Sequence, residues 1–139
     1  MITTVEEHSQ RYEQSLAACP EAIAAVRHIV RVVLRLWGRT DLSYDVTLCL
    51  TELLTNVIKH AACSECLISL QDRPIGLRVA VADTDPAPPV VRHPDHLSET
   101  GRGMALIERT AHRWGVEWTL SGKRVWAEFR TARPAAVGA

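Results

Sequence analysis

Residues 43–62 read S-Y-D-V-T-L-C-L-T-E-L-L-T-N-V-I-K-H-A-A, and two stripes run through them. Val46, Leu50, Leu53, Leu54, Val57 and Ile58 recur three or four positions apart, the spacing of one broad apolar face of an α-helix. Asp45, Cys49, Glu52, Asn56 and His60 recur at the same steps and make a second, mostly polar line. Ser43 is expected as the N-cap. Asparagine is a poor choice for a helix interior on propensity alone. Glu52 stands one turn before it, with Lys59 and His60 one turn after it. A carboxylate, an amide oxygen and cationic or imidazole groups thus lie along one line. A magnesium triphosphate needs such a set, with hard oxygens for the metal and positive or donor groups for the phosphates. Spacing alone leaves an ordinary solvated helix face equally open.

Toward the N-terminus, Met1 to Ser9 are polar and Tyr12 to Leu16 read as a short strand. Pro20 fits the first turn of a helix, with Glu21 beside it to suit the N-terminal dipole. Ile23, Val26, Ile29, Val30, Val33, Leu34 and Trp37 follow at helical spacing, and Gly38 ends the helix. Arg27, Arg31 and Arg35 form a basic stripe on the other face, read as solvated surface.

Toward the C-terminus, Cys66 to Asp72 alternates as a strand with Ile68 and Leu70 inward. Asp72-Arg73-Pro74 is expected to turn the chain, and Leu77, Val79 and Val81 alternate again. Residues 83–100 carry four prolines and read as a long loop. Gly101-Arg102-Gly103 opens a third helix, with Met104, Ile107, Ala111 and Trp114 on one face. The last two strands pair through Ser121-Gly122. Val116, Trp118 and Leu120 point the same way as Val125, Ala127 and Phe129. Cleanly alternating strands are covered on one face only. The expected fold is therefore α+β, a two-layer sandwich of three helices on a mostly antiparallel sheet. Residues 1–130 form one domain in this reading, and residues 131–139 a disordered tail.

The 139 residues are 47% hydrophobic and only 5% aromatic, so aliphatic side chains must fill the core. Sixteen Lys+Arg balance sixteen Asp+Glu, which lacks the basic footprint of a nucleic-acid binder. No uncharged run is long enough to cross a bilayer and no signal pattern opens the chain. The expectation is a cytoplasmic protein with no direct nucleic-acid or membrane partner. Cys63 and Cys66 form C-S-E-C three residues after His60, with His93 and His96 in H-P-D-H as conceivable further zinc ligands. One C-x-x-C without a second pair is weak for zinc, and reduced structural cysteines are the better reading.

Asp83 is in phase with Leu77, Val79 and Val81, so it points to the helix-covered side of the sheet. A buried carboxylate needs a partner. A purine amino group is one and a backbone N–H another. The free N–H groups at the head of the third helix suit phosphate, and two glycines there permit close approach.

E-L-L-T-N-V-I-K-H-A at Glu52 to Ala61 resembles the N-box of the GHKL (Bergerat-fold) ATPases. D-T-D-P at Asp83 to Pro86 resembles a degraded first glycine box, and G-R-G-M-A-L-I at Gly101 to Ile107 resembles the second. Within that superfamily the chain looks most like the small stand-alone bacterial anti-sigma-factor serine/threonine kinases. G-K-R-V-W-A-E-F at Gly122 to Phe129 resembles the last strand of actinobacterial members. The resemblance implies a histidine-kinase-like ATPase fold that binds ATP and Mg2+. Asn56 would hold magnesium and Asp83 the adenine amino group. Gly101 and Gly103 would hold the phosphates beneath a lid of residues 86–100, with Lys59, His60 and Arg102 as further phosphate contacts and Met104 beside them in the second box. Glu52 would be the general base. Asp85 stands at the nucleotide where the family often has glycine. Sensor histidine kinases usually carry Asn at the position of Glu52 and need a dimerising helix pair for which the chain has no room. The implied partners are an anti-anti-sigma protein and a sigma factor. A homodimer through the N-terminal strand and first helix is implied as well. The rival is a module that sequesters a partner without phosphoryl transfer.

Overall fold

Pro20 and Gly38 bracket the first helix, as their backbone preferences dictate. In a computed structural model of the protein, which describes residues 10–60, 65–83, 99–120 and 122–131, helix α1 spans Pro20–Leu36. The side chains of residues 60 and 99–103 fall outside that description. Gly38 adopts φ 73°, the left-handed conformation that only glycine takes without strain. Its N–H donates to the Arg35 carbonyl at 3.1 Å, and the Arg39 N–H donates to the Leu34 carbonyl at 2.7 Å. These two bonds are the Schellman pattern that closes a helix C-terminus. They also deliver Arg39 to a defined place.

From Arg39 the chain makes a short 3-10 turn, Thr40–Leu42, which runs straight into α2, Ser43–His60. Ser43 already has helical angles, φ −59° and ψ −43°. It is therefore the first residue of α2 and not the expected cap, because an N-cap residue is extended. Val46, Leu50, Leu53, Leu54 and Val57 are buried along α2, and Ile58 packs against the same cluster half-exposed. Val26, Val30 and Leu34 are the buried residues of α1. Arg27, Arg31 and Arg35 face solvent, as read from the sequence.

The strands are β1 (Arg11–Ala17), β2 (Glu65–Arg73), β3 (Gly76–Asp83), β4 (Arg113–Trp118) and β5 (Lys123–Arg130), with α3 (Glu99–Thr110) between β3 and β4. They form one five-stranded sheet in the order β1-β2-β3-β5-β4, and every neighbouring pair is antiparallel. α2 packs against α1, α3, β3 and β5, so it is the central helix of the covering layer. The result is the α+β sandwich of three helices on a sheet that the alternation required.

Three local readings need correction. Asp72 and Arg73 belong to β2, and the turn is Pro74-Ile75. The strand persists because Arg39 reaches across to it. Arg39 Nε donates to Asp72 Oδ1 at 2.8 Å and Nη2 to the Arg73 carbonyl at 2.6 Å. Gly76 then lies so close to β5 that a Cβ would collide with the Phe129 carbonyl oxygen. Second, Trp114 is on β4 and not on the third helix. The His112 N–H donates to the Glu128 carbonyl at 2.7 Å, and β5 captures the chain from there. Trp114 and Ala111 still pack against the core. Third, Val125, Ala127 and Phe129 are buried, whereas Trp118 is 58% and Leu120 109% exposed. β4 is an edge strand whose far end runs past the buried cluster.

The outer sheet face is polar and tied by charge. Glu128 takes Arg113 at 2.8 Å, Arg78 at 3.3 Å and Arg73 at 3.5 Å, and the Arg78 guanidinium lies 4.3 Å from the Trp126 ring centre. The Arg113 hydrogen bond, with Arg73 and Arg78 adding their charge, holds the Glu128 carboxyl below its ordinary value.

The Arg39–Asp72 pair is nearly buried, with side-chain exposures of 10% and 16%. Removing one member of such a pair strands the other. Arg39→Leu is expected to cost about 3 kcal/mol of unfolding free energy in urea titration. A loss below about 0.5 kcal/mol, typical of exposed pairs, would contradict the clasp.

Candidate functional site

The polar line of α2 emerges where the helix leaves the core. Leu53, Leu54 and Val57 are buried, and Asp45, Glu52 and Asn56 between them are half-buried. Cys49 breaks the line, since it is 1% exposed and packs in the core. Burial, with the Glu52 charge adding to it, pushes the Cys49 thiol far above its ordinary value. Glu52 is itself displaced. Burial raises its carboxyl, and the charge of Lys59 on the same helix pulls the other way. The result is a carboxylate with an above-ordinary affinity for a proton, one turn from a half-buried amide. Lys59 is exposed at the end of the line. The side chain of His60 lies outside the described residues.

Asp83 is the last residue of β3 and is buried in phase with Leu77, Val79 and Val81, as its register predicts. Its partner was not foreseen. Lys123, the first residue of β5, is directly opposite in the ladder. Its Nζ lies 3.2 Å from Asp83 Oδ1 and 3.4 Å from Oδ2, and the two side chains are only 9% and 3% exposed. Lys123 is in step with Val125, Ala127 and Phe129, so its inward phase was the signal that could have found it. Cys66 is close enough that Asp83 acts on it. Burial first, then the charges of Asp83 and Glu65, push its thiol up to about 11. Cys19, Cys49 and Cys66 are free thiols. Cys63, His93 and His96 lie outside the described residues.

The third segment is the head of α3. The helix begins at Glu99, two residues before the glycine pair, so Gly101 is in its first turn and Gly103 a little further in. The unbonded N–H groups of a helix belong to its N-cap and its first three helical residues. Backbone donors thus run as far as Gly101, while Arg102 and Gly103 are inside the intrahelical ladder. Met104 is fully buried, so its side chain belongs to the core. Asp85 and most of the expected lid, 86–98, lie outside the described residues.

The contacts of α2 with β3 and α3 bring these segments to one side of the sheet. The three expected parts are a carboxylate–amide helix face, a strand-end aspartate and a helix N-terminus. They supply hard oxygens, one buried acceptor and free N–H donors. A separate cleft of about 440 Å³ lies at the other end of β3 and β5, lined by Arg73, Ile75, His112, Arg113, Glu128 and Arg130. It holds none of the expected site residues. No helix among the described residues is long and apolar enough to cross a membrane.

Residues 16–129 match the family model described as the histidine kinase-like ATPase domain. A protein of Streptomyces coelicolor described as uncharacterized is 43% identical over 72 residues, covering 49% of this chain and 69% of that protein.

Because the fold holds the Glu52 proton more tightly than the unfolded chain does, the ionised side chain opposes folding. Glu52→Gln is expected to raise stability near neutral pH, with a gain that shrinks as the pH falls through the raised value. Urea unfolding across that range reads it. A gain that grows on acidification would contradict the burial of Glu52.

Proposed function

Because the chain belongs to the histidine kinase-like ATPase domain family, we propose that it binds magnesium-ATP and phosphorylates a serine or threonine of an anti-anti-sigma protein, holding a sigma factor in its other state. The observation that carries the transfer step is the Glu52 carboxyl, raised by burial and one turn from Asn56. A general base works best when its proton affinity lies near the working pH, and burial moves a carboxyl in that direction.

The donor set fits the metal and the nucleotide. Magnesium retains waters and takes one or two protein oxygens beside those of the phosphates. The half-buried Asn56 amide oxygen meets that requirement. When bound, the ion neutralises charge on the phosphates. The protein's own groups do the rest. Glu52 accepts the proton of the attacking hydroxyl as its oxygen bonds to the γ-phosphorus, and the bond from phosphorus to the β,γ-bridging oxygen breaks to release ADP. N–H groups in the first turn of α3 face the phosphates, and Lys59, His60 and Arg102 add positive or donor groups around them. Asp83 accepts from the adenine amino group. Asp85 adds negative charge near the base. A second copy is proposed to join through β1, which lies on the sheet edge, and α1.

Incubation with labelled ATP and candidate anti-anti-sigma proteins tests the reading. Glu52→Ala is expected to lower transfer at least about 100-fold while nucleotide binding stays. Tight partner binding with no transfer by the wild-type protein would overturn the kinase and favour the sequestering module.

A further inference from the structure

The carboxylate assigned to the base already has an internal ligand. The Lys123 ammonium is almost equidistant from the two Asp83 oxygens, 3.2 and 3.4 Å, and so lies across the front of the carboxylate. Backbone register puts it there, because Asp83 and Lys123 are Cα partners at the open end of the β3–β5 ladder. Both residues point to the helix side, at the end of the rows Leu77-Val79-Val81 and Val125-Ala127-Phe129. Water is largely kept away from the pair, so the attraction between the two charges is little screened.

We propose that Lys123 is an internal competitor for the amino group of the bound base, and that it sets the nucleotide affinity of the Asp83 site. This rests on the nucleotide reading of the preceding subsection. A neutral donor's bond to a carboxylate is already charge-assisted, but the ammonium adds a full opposite charge at 3.2 Å, which counts strongly where water is kept away. A neutral exocyclic amino group therefore cannot displace Lys123 unaided, and contacts elsewhere on the nucleotide must supply the difference. Affinity is reduced by the fraction of protein in which the carboxylate front is open. Lys123 also keeps the buried carboxylate compensated in protein without nucleotide. One side chain thus favours folding and opposes binding.

Those opposite signs make the test specific. Lys123→Met removes the charge at similar length, and Lys123→Gln keeps a neutral amide that can still donate to Asp83. Each variant and the wild type would be titrated with magnesium-ATP and magnesium-ITP by calorimetry, after melting without nucleotide. ITP carries an oxygen in place of the amino group. Lys123→Met is expected to melt lower without nucleotide and yet bind ATP at least about fivefold tighter, with no gain for ITP. Lys123→Gln should fall between it and the wild type, and it carries the test should Lys123→Met fail to fold. Wild-type ATP binding that neither variant tightens overturns the competitor role and leaves the nucleotide reading standing. A gain of equal size for ITP also overturns it, because the amino group would then play no part. No ATP binding by any of the three overturns the nucleotide reading and the competitor with it.

Discussion

Helix α2 has to bury Val46, Leu50, Leu53, Leu54 and Val57 while keeping Glu52 and Asn56 within reach of solvent, and both demands fall on adjacent stripes of one helix. It meets α1 and α3 on its flanks and β3 and β5 beneath. A fully buried leucine contributes about 1.5–3 kcal/mol relative to an exposed one. The apolar stripe therefore fixes the rotation of α2 firmly, and the polar line has to follow. The displaced Glu52 carboxyl results from that placement, since its largest cause is burial beside the core.

The sheet supplies the second half of the proposed site by the same logic. Period-two alternation sends Asp83 and Lys123 inward at the ends of rows that are otherwise apolar. At that depth the two charges compensate each other. Away from the helices, the outer face is held by Glu128 among Arg73, Arg78 and Arg113 and by Trp126 under Arg78. That face contributes rigidity to β3 and β5, the strands that carry Asp83 and Lys123.

The helices, the hairpins and the inward phase of Asp83 were legible in the sequence because each rests on a local period. Gly38 was legible too, since a left-handed cap is a property of one residue. Features decided by a distant partner were not. Asp72 and Arg73 look like turn residues until Arg39 holds them in the strand. Trp114 continues a helical spacing but is drawn into the sheet by Glu128. Trp118 keeps the inward phase of β4 yet ends outside the core, because phase does not say where the helix layer stops. The Lys123 pairing depends on β3–β5 register, which no single strand encodes. The glycine pair marked the head of α3 to within two residues.

The central claim is that the polar seam of α2, the end of β3 and the first turn of α3 are walls of one nucleotide site. Amide chemical-shift mapping during a magnesium-ATP titration tests it most directly. The account predicts that the largest shifts fall at residues 52–60, at Asp83 and Lys123, and at 99–102, with the Arg113–Glu128 face quiet. Shifts centred on that outer face, or none at millimolar nucleotide, would contradict it.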